Sequence, residues 1–198
     1  MFHSFVHLRT RTEFSLVDSI IRVKPLLARV VDEGMPACGI SDLHNFFGLL
    51  KFYRAAQGSG VKPVCGCDFR LHIDDDDLRP PLITLFARTL TGYKNITALI
   101  SKSYQEGQHH GEPYVEEAWI KDYAEGVIAL SGAKFGDVGQ LLVTGKLDEA
   151  KERLRRWMDI FPDAYYLELQ RTGRENDELY VHRAVELAAQ SDCPVVAT

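Results

Sequence analysis

Strand-like and helix-like segments alternate along this chain almost without interruption, and that alternation restricts its fold more than any other feature. Phe5 to Thr10 reads as a strand, Ile20 to Glu33 as an amphipathic helix stopped by Gly34, and Ala37 to Ser41 as a buried strand ending at Asp42. Phe46 to Gln57 reads as a helix with Phe46, Leu49, Leu50 and Tyr53 on one side, closed by Gly58. Pro63 to Ile73 reads as extended and the acidic run Asp74 to Asp77 as a solvated turn. Leu82 to Ala87 reads as a strand, and Tyr93 to Glu106 as a helix with Ile96, Leu99, Ile100 and Tyr104 as its apolar stripe. A polar loop containing His109 and His110 leads to a short helix near Val115 to Tyr123 and a strand at Val127 to Leu130. Helices at Asp137 to Val143 and Leu147 to Ile160, a strand at Tyr165 to Leu169, a helix at Asp177 to Gln190 and a last strand at Pro194 to Thr198 complete the series. Such spacing predicts parallel β-α units, with right-handed crossovers bringing the strand C-termini to one face.

The last strand bears on domain organisation. A buried strand with no loop or covering helix after it is an unusual end for a barrel, so residues 1–198 are expected to be the first part of a longer domain in a longer protein.

Composition narrows the class further. With 28 acidic against 23 basic residues the net charge is -5, which argues against a dedicated duplex-binding module with a basic face. The four cysteines, Cys38, Cys65, Cys67 and Cys193, show neither a disulfide framework nor a second pair at zinc-site spacing, and read as reduced core thiols. No apolar run approaches membrane-spanning length and no secretory signal opens the chain. A soluble cytoplasmic protein is expected.

The first strand carries two arginines at an interval that places both on one face, Arg9 and Arg11. Side by side they repel unless carboxylates or an anion lie between them. If the strands are parallel, their C-terminal ends collect Arg9, Arg11, Asp42, Asp68, Ser131, Gln170 and Arg171, with Asp18 in the loop after the first strand. Of the seven histidines none forms an H-x-H pair, and only His44 lies just past a strand end, where a solvent-exposed loop position is expected.

The run His7-Leu8-Arg9-Thr10-Arg11-Thr12-Glu13-Phe14-Ser15-Leu16-Val17-Asp18 resembles the first motif of the PHP (polymerase and histidinol phosphatase) family. More closely, it is similar to the PHP domain at the N-terminus of the alpha subunit of bacterial DNA polymerase III. Gly39 to Asn45, Gly48 to Tyr53, Lys62 to Phe69, Gly92 to Ile96, Leu130 to Gly132, Tyr166 to Gly173 and Pro194 to Thr198 continue the likeness collinearly. The resemblance implies a distorted seven-stranded β/α barrel, incomplete here at its C-terminal side.

Departures from the family pattern carry the functional expectation. Metal-binding members have H-x-H where this chain has Arg9-Thr10-Arg11, and T-D-H where it has Ser41-Asp42-Leu43. The glutamate of the third motif appears as Asp68, later ligand positions appear as Ala133 and Thr172, and the final D-x-H segment would lie beyond Thr198. The resemblance therefore implies a lost metal centre, with no catalytic residue, no metal ligand and no cofactor in this part of the protein. Arginine suits such a loss. A unit-charge pair at ~4 Å and an effective dielectric near 20 is worth about 4 kcal/mol, and a guanidinium turns carboxylate repulsion into attraction without titrating. Arg9 and Arg11 are expected to pair with Asp18, Asp42 or Asp68; the alternative is that both reach solvent at the barrel rim. Arg171 completes the expected vestigial pocket.

By the same resemblance, the chain is expected to bind the epsilon proofreading exonuclease and to brace a polymerase core. Nucleotidyl transfer with magnesium, most contact with DNA, and contacts with other polymerase III subunits would belong to the missing region. No membrane partner is expected. The rival reading is a phosphoesterase or pyrophosphatase with an altered site, in which Arg9, Arg11 and Arg171 clamp a phosphate. Against it, no nucleophile, general base or water-activating metal is evident.

Overall fold

A computed structural model describes residues 5–73 and 80–198. The expected turn at Asp74 to Asp77 lies outside the described residues.

Seven α-helices, one 3-10 turn (Ala133–Phe135) and eight strands follow in order among the described residues. These are α1 (Val23–Asp32), β1 (Ala37–Leu43), α2 (Leu49–Gly58), β2 (Lys62–Arg70), β3 (Leu82–Ala87), α3 (Leu90–Gln105), β4 (Gln108–His109) and β5 (Glu112–Pro113). Then come α4 (Glu117–Asp122), β6 (Val127–Leu130), α5 (Asp137–Thr144), α6 (Leu147–Ile160), β7 (Tyr165–Leu169), α7 (Asp177–Ser191) and β8 (Val195–Ala197). The main sheet has the order β1-β2-β3-β6-β7-β8 and curls into a half-barrel. The pair β4–β5 forms a separate small hairpin, with His110 and Gly111 at its turn in left-handed backbone.

One strand breaks the expected all-parallel arrangement. β3 runs antiparallel to both β2 and β6, whereas β1–β2, β6–β7 and β7–β8 are parallel. The physical reason lies in the connection. A parallel neighbour needs a crossover, usually a helix, and no helix is assigned between Arg70 and Leu82 among the described residues. Reversal has a benefit at the site: the start of β3, rather than its end, reaches the face where the other strands finish.

The first expected strand is extended but irregular. Backbone N–H groups of Gly39 and Ser41 donate to the carbonyls of His7 and Thr10, so three residue steps on one side match two on the other. This bulge keeps the segment out of a regular ladder. It lies against β1 because residue 39 is glycine: a Cβ there would come within 2.1 Å of the Leu8 carbonyl oxygen.

Helix burial follows the expected period, with one informative exception. α1 buries Val23, Leu27 and Val30, and α6 buries Ala150, Leu154 and Trp157, each set at intervals of four and three residues. Trp157 stacks on Tyr165 of β7 with ring centroids 6.3 Å apart, tying α6 to the sheet. In α2, however, the buried residues are Leu49, Phe52 and Ala56, while Leu50 and Tyr53 are exposed. Of the expected face of Phe46, Leu49, Leu50 and Tyr53, α2 thus sends Leu49 into the core and leaves Leu50 and Tyr53 in solvent.

Candidate functional site

The C-terminal ends of β1, β2 and β7, the start of β3 and the bulged first segment converge on a cluster of buried charges. Its centre is Asp68, near the end of β2 and fully buried. Asp68 Oδ2 accepts from Arg9 Nε at 3.2 Å and from Arg11 Nε at 2.9 Å. Its Oδ1 accepts from the Thr84 hydroxyl at 2.6 Å, a contact that exists because β3 is antiparallel and sets Thr84 opposite Asp68. Burial alone would raise the pKa of Asp68, but Arg9, Arg11 and the hydrogen bond from Thr84 together hold it below its ordinary value.

A second carboxylate completes the cluster. Glu168 of β7 is fully buried, and its two oxygens lie 3.3 and 3.1 Å from Arg9 Nη1. The Thr198 hydroxyl donates to the same carboxylate at 2.6 Å, and the Glu168 N–H donates to Ser131 Oγ at 3.0 Å. Burial opposes the charge on Arg9, yet Asp68 and Glu168 outweigh it and raise its pKa. Arg9 therefore spans two buried carboxylates, and Arg11 spans Asp68 and the half-exposed Asp18, whose Oδ2 is 3.0 Å from Arg11 Nη1. The open side of this cluster is a cavity of about 340 Å³, lined by Arg9, Arg11, Asp18, Leu82, Phe135, Gln170, Thr172 and Arg174.

Of the residues nominated from sequence, Arg9, Arg11, Asp18 and Asp68 come together in this cluster. Asp42 does not join the arginines. It is buried and accepts from the Thr12 N–H at 2.6 Å, the Thr12 hydroxyl at 2.7 Å and the Ser15 hydroxyl at 2.7 Å, pinning the loop after the first segment. Arg171 is also elsewhere. It forms a two-pronged pair with Glu178 at 2.7 and 3.0 Å in solvent. Past β7, Gln170 and Thr172 line the cavity, whereas the Arg171 side chain is in solvent. The cavity's third guanidinium is Arg174.

His44 departs furthest from expectation. It is 1% exposed, sits in left-handed backbone, and accepts the Arg70 N–H at 2.8 Å on Nε2. Its ring meets Phe69 edge-on at 5.3 Å. Burial, followed by the nearby charge of Arg70, lowers its pKa to about 3. It is a neutral structural acceptor.

Glu168 was not singled out from sequence, although a signal was present: it is the one acid in the otherwise apolar run Tyr165 to Leu169. Thr84 and Thr198 gave no comparable signal. Among the described residues, no group of three or more His, Cys, Asp and Glu side chains is placed to hold a metal ion. Nor is any described helix long and apolar enough to cross a membrane.

A curled α/β half-barrel with polar chemistry gathered where its strands end defines a partial β/α-barrel domain. The chain belongs to the PHP domain family, whose pattern matches residues 7–172. It is 48% identical over 195 residues to DNA polymerase III subunit alpha of Pseudomonas aeruginosa, and 43% identical over 196 residues to that of Escherichia coli K12. Each match covers 98% of this chain and 17% of the relative, so the chain spans about a sixth of those proteins. It is homologous to their N-terminal PHP region. Among solved structures, an amidohydrolase from Chromobacterium violaceum superposes with a TM-score of 0.66 at 9% identity, covering 96% of this chain and 84% of that one. A candidate metal-dependent phosphoesterase from Bifidobacterium adolescentis gives 0.61 at 11% identity, covering 97% and 85%. At such identities the likeness is one of fold.

Proposed function

We propose that residues 1–198 form the first part of a PHP domain that acts, without catalysis of its own, as a brace and docking platform in the alpha subunit of a replicative DNA polymerase III. The observation that carries this reading is the saturation of the central carboxylates. Asp68 is taken up by Arg9, Arg11 and Thr84, and Glu168 by Arg9 and Thr198. Two guanidiniums seated on the acidic core repel a cation and occupy the lone pairs it would need. These residues do not fit a metal centre. The pocket is the vestige of a metal site, held together by arginine in place of metal.

A domain so rebuilt keeps the barrel rigid and leaves its outer surfaces for partners. The partner assigned by this reading is the epsilon proofreading exonuclease, which supplies the hydrolysis that the cluster lacks. Polymerisation with magnesium, the main contacts with DNA and the contacts with other polymerase III subunits belong to the remainder of the protein, in the cytoplasm.

Two measurements on the full-length subunit test this. Zinc and manganese content of unchelated protein is expected to be sub-stoichiometric, with no exonuclease or phosphatase turnover on adding either metal. Purified epsilon subunit is expected to co-elute with the wild type and to be lost when this domain is deleted. Near-stoichiometric metal with chelator-sensitive hydrolysis overturns the vestigial reading and favours an arginine-lined phosphoesterase. Retention of epsilon after the deletion overturns the docking role.

A further inference from the structure

The antiparallel step between β2 and β3 has a consequence on the outside of the sheet. Every crossover between parallel neighbours lays a helix on that surface, but no helix is assigned between these two strands among the described residues. The helix layer therefore parts between α2 and α3, leaving a groove of about 570 Å³ with Pro63 and Cys65 of β2 among its lining. Leu50 and Tyr53 line it from α2, and Leu90 and Tyr93 from α3. At one point Phe46 stacks on Tyr93, with centroids 5.8 Å apart and planes within 8°.

These lining side chains are large, apolar and open to solvent: Leu50 is 60% exposed, Leu90 69%, and Tyr53 and Tyr93 each 40%. Scattered exposed apolar residues need no explanation, but a concave, contiguous set of them marks a binding surface. Charge says what kind of ligand suits it. The lining includes Arg88 and no carboxylate. Arg54 and Lys94 are exposed and adjoin the lining residues Tyr53 and Tyr93 on their helices. Among the described residues none of these three cations forms an ion pair, in a chain whose net charge is -5.

We propose that the α2–α3 groove is a docking site for an acidic amphipathic segment of a partner protein, which seats large apolar side chains between Leu50 and Leu90 and sets its carboxylates against Arg88 and the neighbouring cations. Helix-in-groove recognition uses this division of labour, with apolar anchors for affinity and flanking charge for orientation and rate. The proposal goes beyond exonuclease docking and does not rest on it.

The test uses the full-length polymerase subunit and a fluorescein-labelled amphipathic peptide of Leu, Trp and Glu, with a second peptide in which Lys replaces Glu. Saturable binding of the acidic peptide is expected, at least ~tenfold tighter than the basic one and weakened by salt. Leu50→Asp with Leu90→Asp, both exposed positions, is expected to weaken it at least ~tenfold, the loss of about one anchor. Arg54→Glu with Arg88→Glu is expected to remove the preference for the acidic peptide while the fold is kept. Bound peptide is also expected to slow maleimide labelling of Cys65, read by mass spectrometry. Equal binding of both peptides, or binding indifferent to all four substitutions, overturns the proposal. So does sedimentation showing that the groove is covered by a second copy, with dimers abolished by Leu50→Asp.

Discussion

Nη1 of Arg9 lies 3.1 Å from the carboxylate of Glu168, 159 residues further along the chain. Four strands of the sheet order separate the edge beside β1 from β7, so one guanidinium can join them only across the concave side of a curled sheet. Arg9 is thus a strut across the half-barrel. Removing one partner of a buried ion pair leaves the other uncompensated, at about 3–5 kcal/mol. Arg9→Met is expected to cost that much in urea denaturation. Arg9→Lys is expected to recover little, because an ammonium lacks the fork that reaches two carboxylates. Combining Arg9→Met with Asp68→Asn and Glu168→Gln is expected to restore much of the loss. A single-variant cost below about 1 kcal/mol would show that the strut is solvated and dispensable.

Asp42 holds the loop after the first extended segment by three hydrogen bonds, from the Thr12 N–H and from the hydroxyls of Thr12 and Ser15. Asp42→Ala strands these donors in a buried setting, and each unsatisfied group costs about 1–3 kcal/mol. A loss of about 2–4 kcal/mol is expected, with Asp42→Asn losing roughly half because its amide keeps one acceptor oxygen. Amide exchange at Thr12 is the direct readout. Unchanged protection in Asp42→Ala would mean that the loop is held by something else.

His44 gives the domain a defined response to acid. Its folded pKa is about 3 against an ordinary value of 6.5, so the unfolded chain takes up a proton through this interval while the folded one does not. Its contribution to stability is fully present above pH 6.5 and is lost as pH falls toward 3. The slope is about 1.4 kcal/mol per pH unit where only the unfolded state titrates. Asp68, with its lowered pKa, adds a loss of the same sign at the acid end. His44→Gln is expected to flatten the slope between pH 6 and pH 4.5, roughly the half of the window nearer neutrality. An equal slope in the variant would assign the acid response to other groups.

Much of the architecture was legible because its signals are local. The bounds of β6, β7 and α6 fall where apolar runs and helical periods place them. The direction of β3 was not legible, since nothing in Leu82 to Ala87 encodes which way a strand runs; the connection decides. Site residues divide similarly. Arg9, Arg11 and Asp68 reach one another because alternation along the strands aims them inward. Beyond the end of β7 the cavity takes Gln170 and Thr172 and not Arg171, in irregular backbone whose course no local pattern announces. His44 was misplaced because, from a left-handed backbone position, it packs against Phe69 and Arg70 of β2, a choice that composition does not reveal.

Gly39 offers the sharpest test of how the cluster is aimed. Arg9 and Arg11 reach Asp68 from a segment that pairs only irregularly with β1, through the N–H groups of Gly39 and Ser41. A Cβ at position 39 would meet the Leu8 carbonyl oxygen at 2.1 Å, and backbone on both sides leaves little room to yield. Gly39→Ala is therefore expected to push the first segment off β1 and withdraw both guanidiniums, at a cost of about 2 kcal/mol or more. Trypsin reads the consequence directly, since it cleaves after arginine. Cleavage after Arg9 and Arg11 is expected to accelerate at least ~tenfold, with sites after α1 unaffected if the opening is local. Wild-type cleavage rates in Gly39→Ala would show that the segment is anchored by its arginines alone, with the packing against β1 incidental.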